Sequence, residues 1–403
     1  MLHIKPIINT LMRSKSGPIL LLIQIILSVA IVANASFIIG ERITLMDRES
    51  GTAEAEVFNF LLYAFDSSID IESQTQRDMR AIRELPGVID ATTTSMVPLS
   101  GGSWSSGYTI GSSEATAKHT ENAAIYYGDD HMVNTLGVDL IEGRNFYETE
   151  ILTGSPDLAT HAIVSKAFAK ATWGDESAIG KIMYAGNWGD KPLQIIGVVD
   201  KLQGASVNSS YLDNSVILNV RLVNVFTKVL VRVEVGTLAR LKEVIPAVLH
   251  KDEPNRVIED FTLISEHRKD QYRNHELMAT VLSMMVILLL LITSLGLAGM
   301  VMFNIERRTK QIGTRRALGA KRRDIISLFL VENYLICIVG GIIGGLVAVQ
   351  LGQQLMTIYS LPKLELIYPI VTVAGLMVLT TIAVMLPARK AAGISPAIAT
   401  RSV

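Results

Sequence analysis

ERRTKQIGTRRALGAKRRD, residues 306–324, decides how the rest of the chain is read. In it Arg307, Arg308, Lys310, Arg315, Arg316, Lys321, Arg322 and Arg323 outweigh Glu306 and Asp324, and on either side lie the apolar runs Met278–Phe303 and Ile326–Val349. Each run exceeds the roughly 20 residues that a helix needs to cross about 30 Å of hydrocarbon. Lysine and arginine in short loops mark the cytoplasmic side, so the basic stretch is predicted to lie inside. Two further runs, Ile19–Ile39 and Ile367–Leu386, are also long enough to span. Four spans then place both termini inside, in agreement with Lys5, Arg13 and Lys15 before the first and Arg389, Lys390 and Arg401 after the last. The stretch Glu41–His275 is left outside.

Composition supports that division. A chain of 403 residues with 19% charged residues and a mean hydropathy of +0.36 is too apolar for an ordinary soluble protein and too charged to lie wholly within a membrane. The net charge of −1 hides an asymmetry, because Glu41–His275 holds 22 Lys and Arg against 33 Asp and Glu. An acidic outer domain argues against a nucleic-acid partner, which needs clustered positive charge. The single cysteine, Cys337, excludes an intrachain disulfide.

The first span carries Ala33-Asn34-Ala35, which has the small-x-small form of a signal-peptide cleavage site. The run continues through Phe37, Ile38 and Ile39 to the length of an anchor, so an uncleaved span is expected. Before it, Ile4, Ile7, Ile8 and Leu11 recur at helical spacing, as in a helix lying at the membrane interface; a solvated tail is the alternative.

The outer region reads as mixed α/β. Helix patterns at Gln74–Leu85, Lys166–Trp173 and Leu238–His250 alternate with strand-like runs at Val88–Val97, Ala162–Val164, Leu193–Val199, Val216–Val220 and Lys228–Val235. Such alternation predicts small βαβ-type units in one or two compact subdomains. The Gly/Ser tract Ser100–Gly107 reads as a loop, and Phe261–Asn274 as helix continuous with the second span.

Catalytic readings find little support. No G-x-x-x-x-G-K-[ST] occurs, Gly101–Gly107 misses the G-x-S-x-G spacing, and Asp129-Asp130-His131 reads as the start of a helix rather than a metal site. No catalytic or metal-binding residue is therefore assigned. In the third span Gly340, Gly341, Gly344 and Gly345 give small-xxx-small spacings that permit close helix approach, within this chain or in a dimer. Glu332 and Asn34 are polar groups within apolar runs, serving either interhelical pairing or, for Glu332, an interfacial position.

The basic stretch, with FLVEN and the glycine-rich span after it, resembles the signature of MacB/FtsX-type ABC transporter permeases. LGVDLIEGRNF (136–146), AIVSKAFAKATWGDESAIGKIM (162–183) and LQIIGVVDKLQG (193–204) are similar to that family's periplasmic core domain, and PARKAAGISPAIATR (387–401) resembles its terminal motif. The resemblance implies an α-helical membrane protein with four transmembrane helices and a large mixed α/β periplasmic domain inserted between helices 1 and 2. Residues 1–18 would form a cytoplasmic interfacial helix, 19–40 the first span, 41–275 the periplasmic core domain of two subdomains, and 276–303 the second span. A coupling loop at 304–324, a third span at 325–351, a short periplasmic loop at 352–366, a fourth span at 367–386 and a cytoplasmic tail at 387–403 would follow.

The resemblance further implies that Glu306, Arg307, Ile312, Gly313, Arg316, Ala317, Leu318, Gly319 and Ala320 couple to a cytoplasmic ATPase dimer, which would hold the ATP and magnesium that this chain itself does not bind. Gln311 departs from the family pattern, which usually has an acidic residue there. A second permease subunit, membrane lipids and an adaptor with an outer-membrane channel are the other implied partners, in a bacterial inner membrane. The implied activity is efflux of a drug, toxin or peptide from the periplasm. Lipoprotein extraction or control of cell-wall hydrolases is the alternative on the same fold, and a membrane-anchored binding or sensor protein without an ATPase is the alternative from another class.

Overall fold

The structure, a computed structural model, describes residues 16–65, 70–102, 104–111, 117–185, 191–222, 224–359 and 362–393. The interfacial helix expected before Ser16 and the terminal motif beyond Gly393 lie outside the described residues. In chain order come α1 (Ser16–Met46), β1 (Val57–Tyr63), α2 (Ile71–Arg83), β2 (Val88–Thr94), β3 (Ser105–Ser106), β4 (Thr109–Ile110), β5 (Lys118–His119), β6 (Ala123–Tyr127), α3 (Met132–Leu136) and β7 (Leu140–Gly143). Then follow β8 (Leu152–Thr153), β9 (His161–Ser165), α4 (Lys166–Trp173), β10 (Ile182–Tyr184), β11 (Pro192–Val199), β12 (Ser215–Leu218), β13 (Val220–Arg221), β14 (Phe226–Val233), α5 (Leu238–Asp252) and β15 (Val257–Leu263). The chain closes with α6 (Ile264–Arg307), α7 (Thr309–Ala317), α8 (Arg322–Tyr359) and α9 (Ile367–Ala392). Arg48–Asn274 forms one compact unit, and the residues before and after it form the other.

In the first of these units β1, β2, β14 and β15 form an antiparallel sheet in the order β15-β1-β14-β2. With α2 after β1 and α5 after β14 this is a βαββαβ arrangement of the ferredoxin-like kind, with everything from β3 to β13 inserted between its second and third strands. The predicted βαβ units are therefore split: α2 joins two strands that run the same way, but β14 lies between them. Each helix covers the sheet with an apolar stripe, Met79 and Ile82 from α2 and Leu241, Ile245 and Leu249 from α5, against Phe58, Phe60, Val229 and Val231. Asp70 caps α2 by accepting from the Glu72 N–H at 3.2 Å, and α2 ends before Pro86-Gly87, where Gly87 takes φ +87°.

The inserted segment builds a nine-stranded mixed sheet in the order β3-β6-β12-β9-β11-β10-β4-β5, with β7 also paired to β11. Here β9 and β11 are parallel neighbours and α4 crosses between them, capped by Ser165 accepting from the Phe168 N–H at 3.3 Å. Phe168 seals the core with Tyr108, Ile125, Val164 and Val216. One expectation is overturned: Phe261–Leu263 belongs to β15, not to the helix that follows. Its residues pair with β1, and Phe261 stacks on Phe60 with ring centroids 5.0 Å apart, so sheet contacts override a helix-compatible composition.

In the second unit, among the described residues four helices, α1, α6, α8 and α9, are long and apolar enough to cross a membrane. Glycines set the contacts of α8. A Cβ on Gly340 or Gly344 would strike Ile25 or Val29 of α1 at 2.8 Å, and one on Gly341 would strike Val373 of α9 at 2.9 Å. Gly345 faces Pro369 across an ordinary 3.8 Å. Polar side chains tie α1 to its neighbours: Asn34 donates to the carbonyl of Ala348 on α8 at 3.0 Å, while Gln24 donates to Ile292 O, Ser28 bonds Thr293 and Arg42 donates to His275 Nδ1, all on α6.

Candidate functional site

The candidate site is the turn between α6 and α8, and its shape follows from local rules. The helix α6 stops at Arg307 because Arg308 leaves helical geometry, with φ −106° and ψ 12°. The Arg308 side chain turns back to α8, donating to both carboxylate oxygens of Glu332 at 3.0 and 3.2 Å. The paired fork answers what an acidic group within an apolar helix needs, since Glu332 is almost wholly buried.

A separate short helix, α7, then occupies the middle of what the sequence reading treats as loop. Its end is a Schellman cap: the Ala320 N–H reaches Arg315 O at 3.0 Å and the Gly319 N–H reaches Arg316 O at 3.2 Å. Gly319 takes φ +96°, a conformation that costs a side-chain-bearing residue energy. Arg316 adds a bond from its guanidinium to Ala320 O at 3.2 Å, and Asp324 accepts from the Lys321 N–H at 2.8 Å to start α8. The turn is thus held by its own hydrogen bonds.

The predicted coupling residues divide into two groups. Ile312 and Gly313 face inward, where Ile312 packs with Val301, Ile325, Phe329, Val384 and Ala388. Gly313 lies inside α7, among its buried residues. Arg316, Gly319 and Ala320 make the cap. Outward stand Glu306, Arg307, Ala317 and Leu318, and Leu318 is 84% exposed although it is the largest apolar side chain at the tip. Exposed Lys310, Arg315, Lys321, Arg322 and Arg323 surround it. The arrangement is a rigid, basic knob with one apolar point, a form suited to gripping an acidic-rimmed apolar cleft.

Arg308 is the residue that sequence reasoning missed as a partner. The signal was present, because a carboxylate within an apolar run requires a cation within reach and α6 ends in a cluster of them. Spacing does not say which of those cations it is.

Comparison with known proteins adds a separate line. The profile of the MacB-like periplasmic core domain matches residues 19–247, and that of the FtsX-like permease C-terminal region matches residues 283–396. The macrolide export ATP-binding/permease protein MacB of Pasteurella multocida is 24% identical over 82% of this chain and 49% of its own length. The protein of the same name from Vibrio parahaemolyticus is 26% identical over 67% of this chain and 41% of its own length. The chain thus spans about half the length of these relatives or less. The crystal structure of the periplasmic region of MacB from Actinobacillus actinomycetemcomitans aligns with 54% of this chain and 94% of its own at 13% identity and a TM-score of 0.32.

Proposed function

Because the chain belongs to the family of MacB-like periplasmic core domains joined to an FtsX-like permease region, we propose that it is the membrane permease of an ABC transporter. The observation that carries this reading is the self-capped basic turn with Leu318 exposed at its tip. A motor must grip a rigid element, and the turn supplies one without borrowing a partner's contacts. The residues 1–403 contain no phosphate-binding G-x-x-x-x-G-K-[ST], so ATP hydrolysis is assigned to an ATPase domain or subunit outside them.

In this mechanism the ATPase pair closes on ATP, carries the α7 turns with it, and moves α6 along its axis. The helix α6 has 44 residues without a break, about 66 Å at 1.5 Å per residue, whereas a membrane crossing takes only about 20 residues. The polar links from Gln24, Ser28 and Arg42 to α6 make α1 follow it. The outer unit Arg48–Asn274 would then act on cargo in the periplasm, with both termini and residues 306–324 in the cytoplasm. Two permease copies or paralogues would be required, one per ATPase, since closed pairs are the common assembly. The relatives are named for macrolide export, and a drug, toxin or peptide leaving the periplasm is the first cargo class to test, with an adaptor and an outer-membrane channel as proposed partners.

The test is paired. Cysteine labelling from each side of the membrane places Lys310 and Lys321, and purification from native membranes reads ATPase association. Labelling of that turn from the periplasmic side would remove the reading altogether. Association that survives scrambling of residues 313–318 would remove the coupling role.

A further inference from the structure

Within the unit Arg48–Asn274, a cavity of about 220 Å³ lies where the edge strand β2 and its neighbour β14 meet Trp104, Tyr127 and Leu222. Lys228 is the one charged residue in its wall among the described residues. It is half-buried on β14 and donates to Ser95 O at 3.1 Å, and among the described residues no carboxylate lies within ion-pair distance of it. An ammonium has three protons to donate. Arg83, Arg221, Arg232 and Arg256, partly or fully buried cations of the same unit, each have a carboxylate partner. Leaving one without a counter-charge is costly, and burial already pulls the Lys228 ammonium below its ordinary pKa.

The cavity mouth is aromatic. Trp104 is 62% and Phe226 41% exposed there. Trp104 is not on a loose loop, since its carbonyl accepts from the Ile125 N–H at 2.9 Å and β3 pairs with β6 directly after it. Exposed rings held beside a cation with spare donors form a site with one anionic and one apolar position. A second cavity in the same unit, of about 240 Å³, has no such polarity, because Arg80, Arg83 and Arg221 share its wall with Glu72, Asp130 and Glu148.

We propose that the Lys228 cavity binds a small monoanion, a carboxylate on an aromatic or branched apolar body, with the carboxylate on Lys228 and the body between Trp104 and Phe226. Its size agrees: a void of roughly 150 Å³ takes a benzene ring, and drug-sized ligands begin near about 300 Å³. One ring and one carboxylate fill what is available. Two sources carry this chemistry, a free aromatic acid and the C-terminal residue of a peptide. The inference does not rest on the transporter reading, since binding is measured without nucleotide or partner.

The experiment uses the full chain in lipid nanodiscs, titrated with 3-phenylpropionate and with N-acetyl-Ala-Phe, and followed by calorimetry and ligand-observed saturation transfer. At least one of the two acids binds, and its amide or methyl ester binds at least tenfold more weakly. Lys228→Met weakens the acid at least tenfold without changing the ester, Lys228→Arg restores it, and Trp104→Ala weakens both acid and ester. Arg80→Ala, in the other cavity, changes neither. Tighter binding of the dipeptide assigns the site to peptide ends, and tighter binding of 3-phenylpropionate assigns it to free acids. Absence of binding at millimolar concentration, equal binding of acid and ester, or full affinity in a folded Lys228→Met protein each overturns the proposal.

Discussion

Arg308 and Glu332 tie the break after α6 to α8, the guanidinium of one spanning both carboxylate oxygens of the other at 3.0 and 3.2 Å. Arg308 is where α6 breaks and Glu332 lies well inside α8, so the pair fixes the angle at which the basic turn leaves the helices. Breaking a buried pair from one side leaves an uncompensated charge and costs about 3–5 kcal/mol, while removing both charges together costs far less. Arg308→Met is expected to lower the melting temperature of the detergent-solubilised chain markedly, and Arg308→Met with Glu332→Met to recover most of the loss. Simple addition of the two single losses would show that the residues do not act as a pair.

The buried and exposed positions of the turn allow folding and the proposed docking to be tested separately. Leu318→Asp is expected to cut ATPase copurification at least about tenfold, on the scale of a central apolar anchor, while leaving thermal stability unchanged, because the side chain touches little of its own chain. Ile312→Asp, six residues earlier, is expected to destabilise the protein itself by burying a charge against Phe329 and Val384. If both variants lose stability equally, the division between inner and outer faces of α7 is wrong.

Asp78 and Arg256 form a nearly solvent-free ion pair at 2.6 Å, with Gln74 donating to the second Asp78 oxygen at 3.2 Å. Burial pushes the Asp78 carboxyl up in spite of Arg256. Asp78→Ala should therefore cost about 3–5 kcal/mol by stranding Arg256, measured by urea unfolding of the full chain. A loss below about 1 kcal/mol, the value of an exposed pair, would contradict the burial seen here.

His131 titrates within a charged cluster. Its ring lies 2.8 Å from Asp90, with Asp129, Asp130 and Arg83 close by. The Asp90 hydrogen bond raises the His131 pKa against the opposing effect of burial. Burial pushes Asp90 up, but bonds from His131 and Asn134 outweigh it and leave Asp90 below its ordinary value. A raised histidine stabilises the fold fully below its unfolded pKa of about 6.5 and loses that contribution as pH climbs through the folded value. Melting temperature should thus fall as pH rises above the unfolded value of about 6.5, and His131→Gln should flatten that fall. An unchanged slope in the variant would assign the titration to another group.

The four spans and the basic turn were readable because a membrane imposes one-dimensional conditions: about 20 apolar residues per crossing, with cations beside the inner ends. Ser16–Met46 and Ile367–Ala392 satisfy those conditions without reference to anything distant in the chain. The short outer helices α2, α4 and α5 were legible for a similar reason, since capping residues and apolar periodicity are local. What tertiary structure decided was partnership. Phe261–Leu263 became strand because β1, some 200 residues earlier, offered it an edge and a ring to stack on. Along α7 and its cap Ile312 turned inward and Leu318 outward according to where α8 and α9 pass. Arg308 was chosen from many cations for Glu332, and Lys228 was left without a carboxylate among the described residues, through distances between elements that no local pattern encodes.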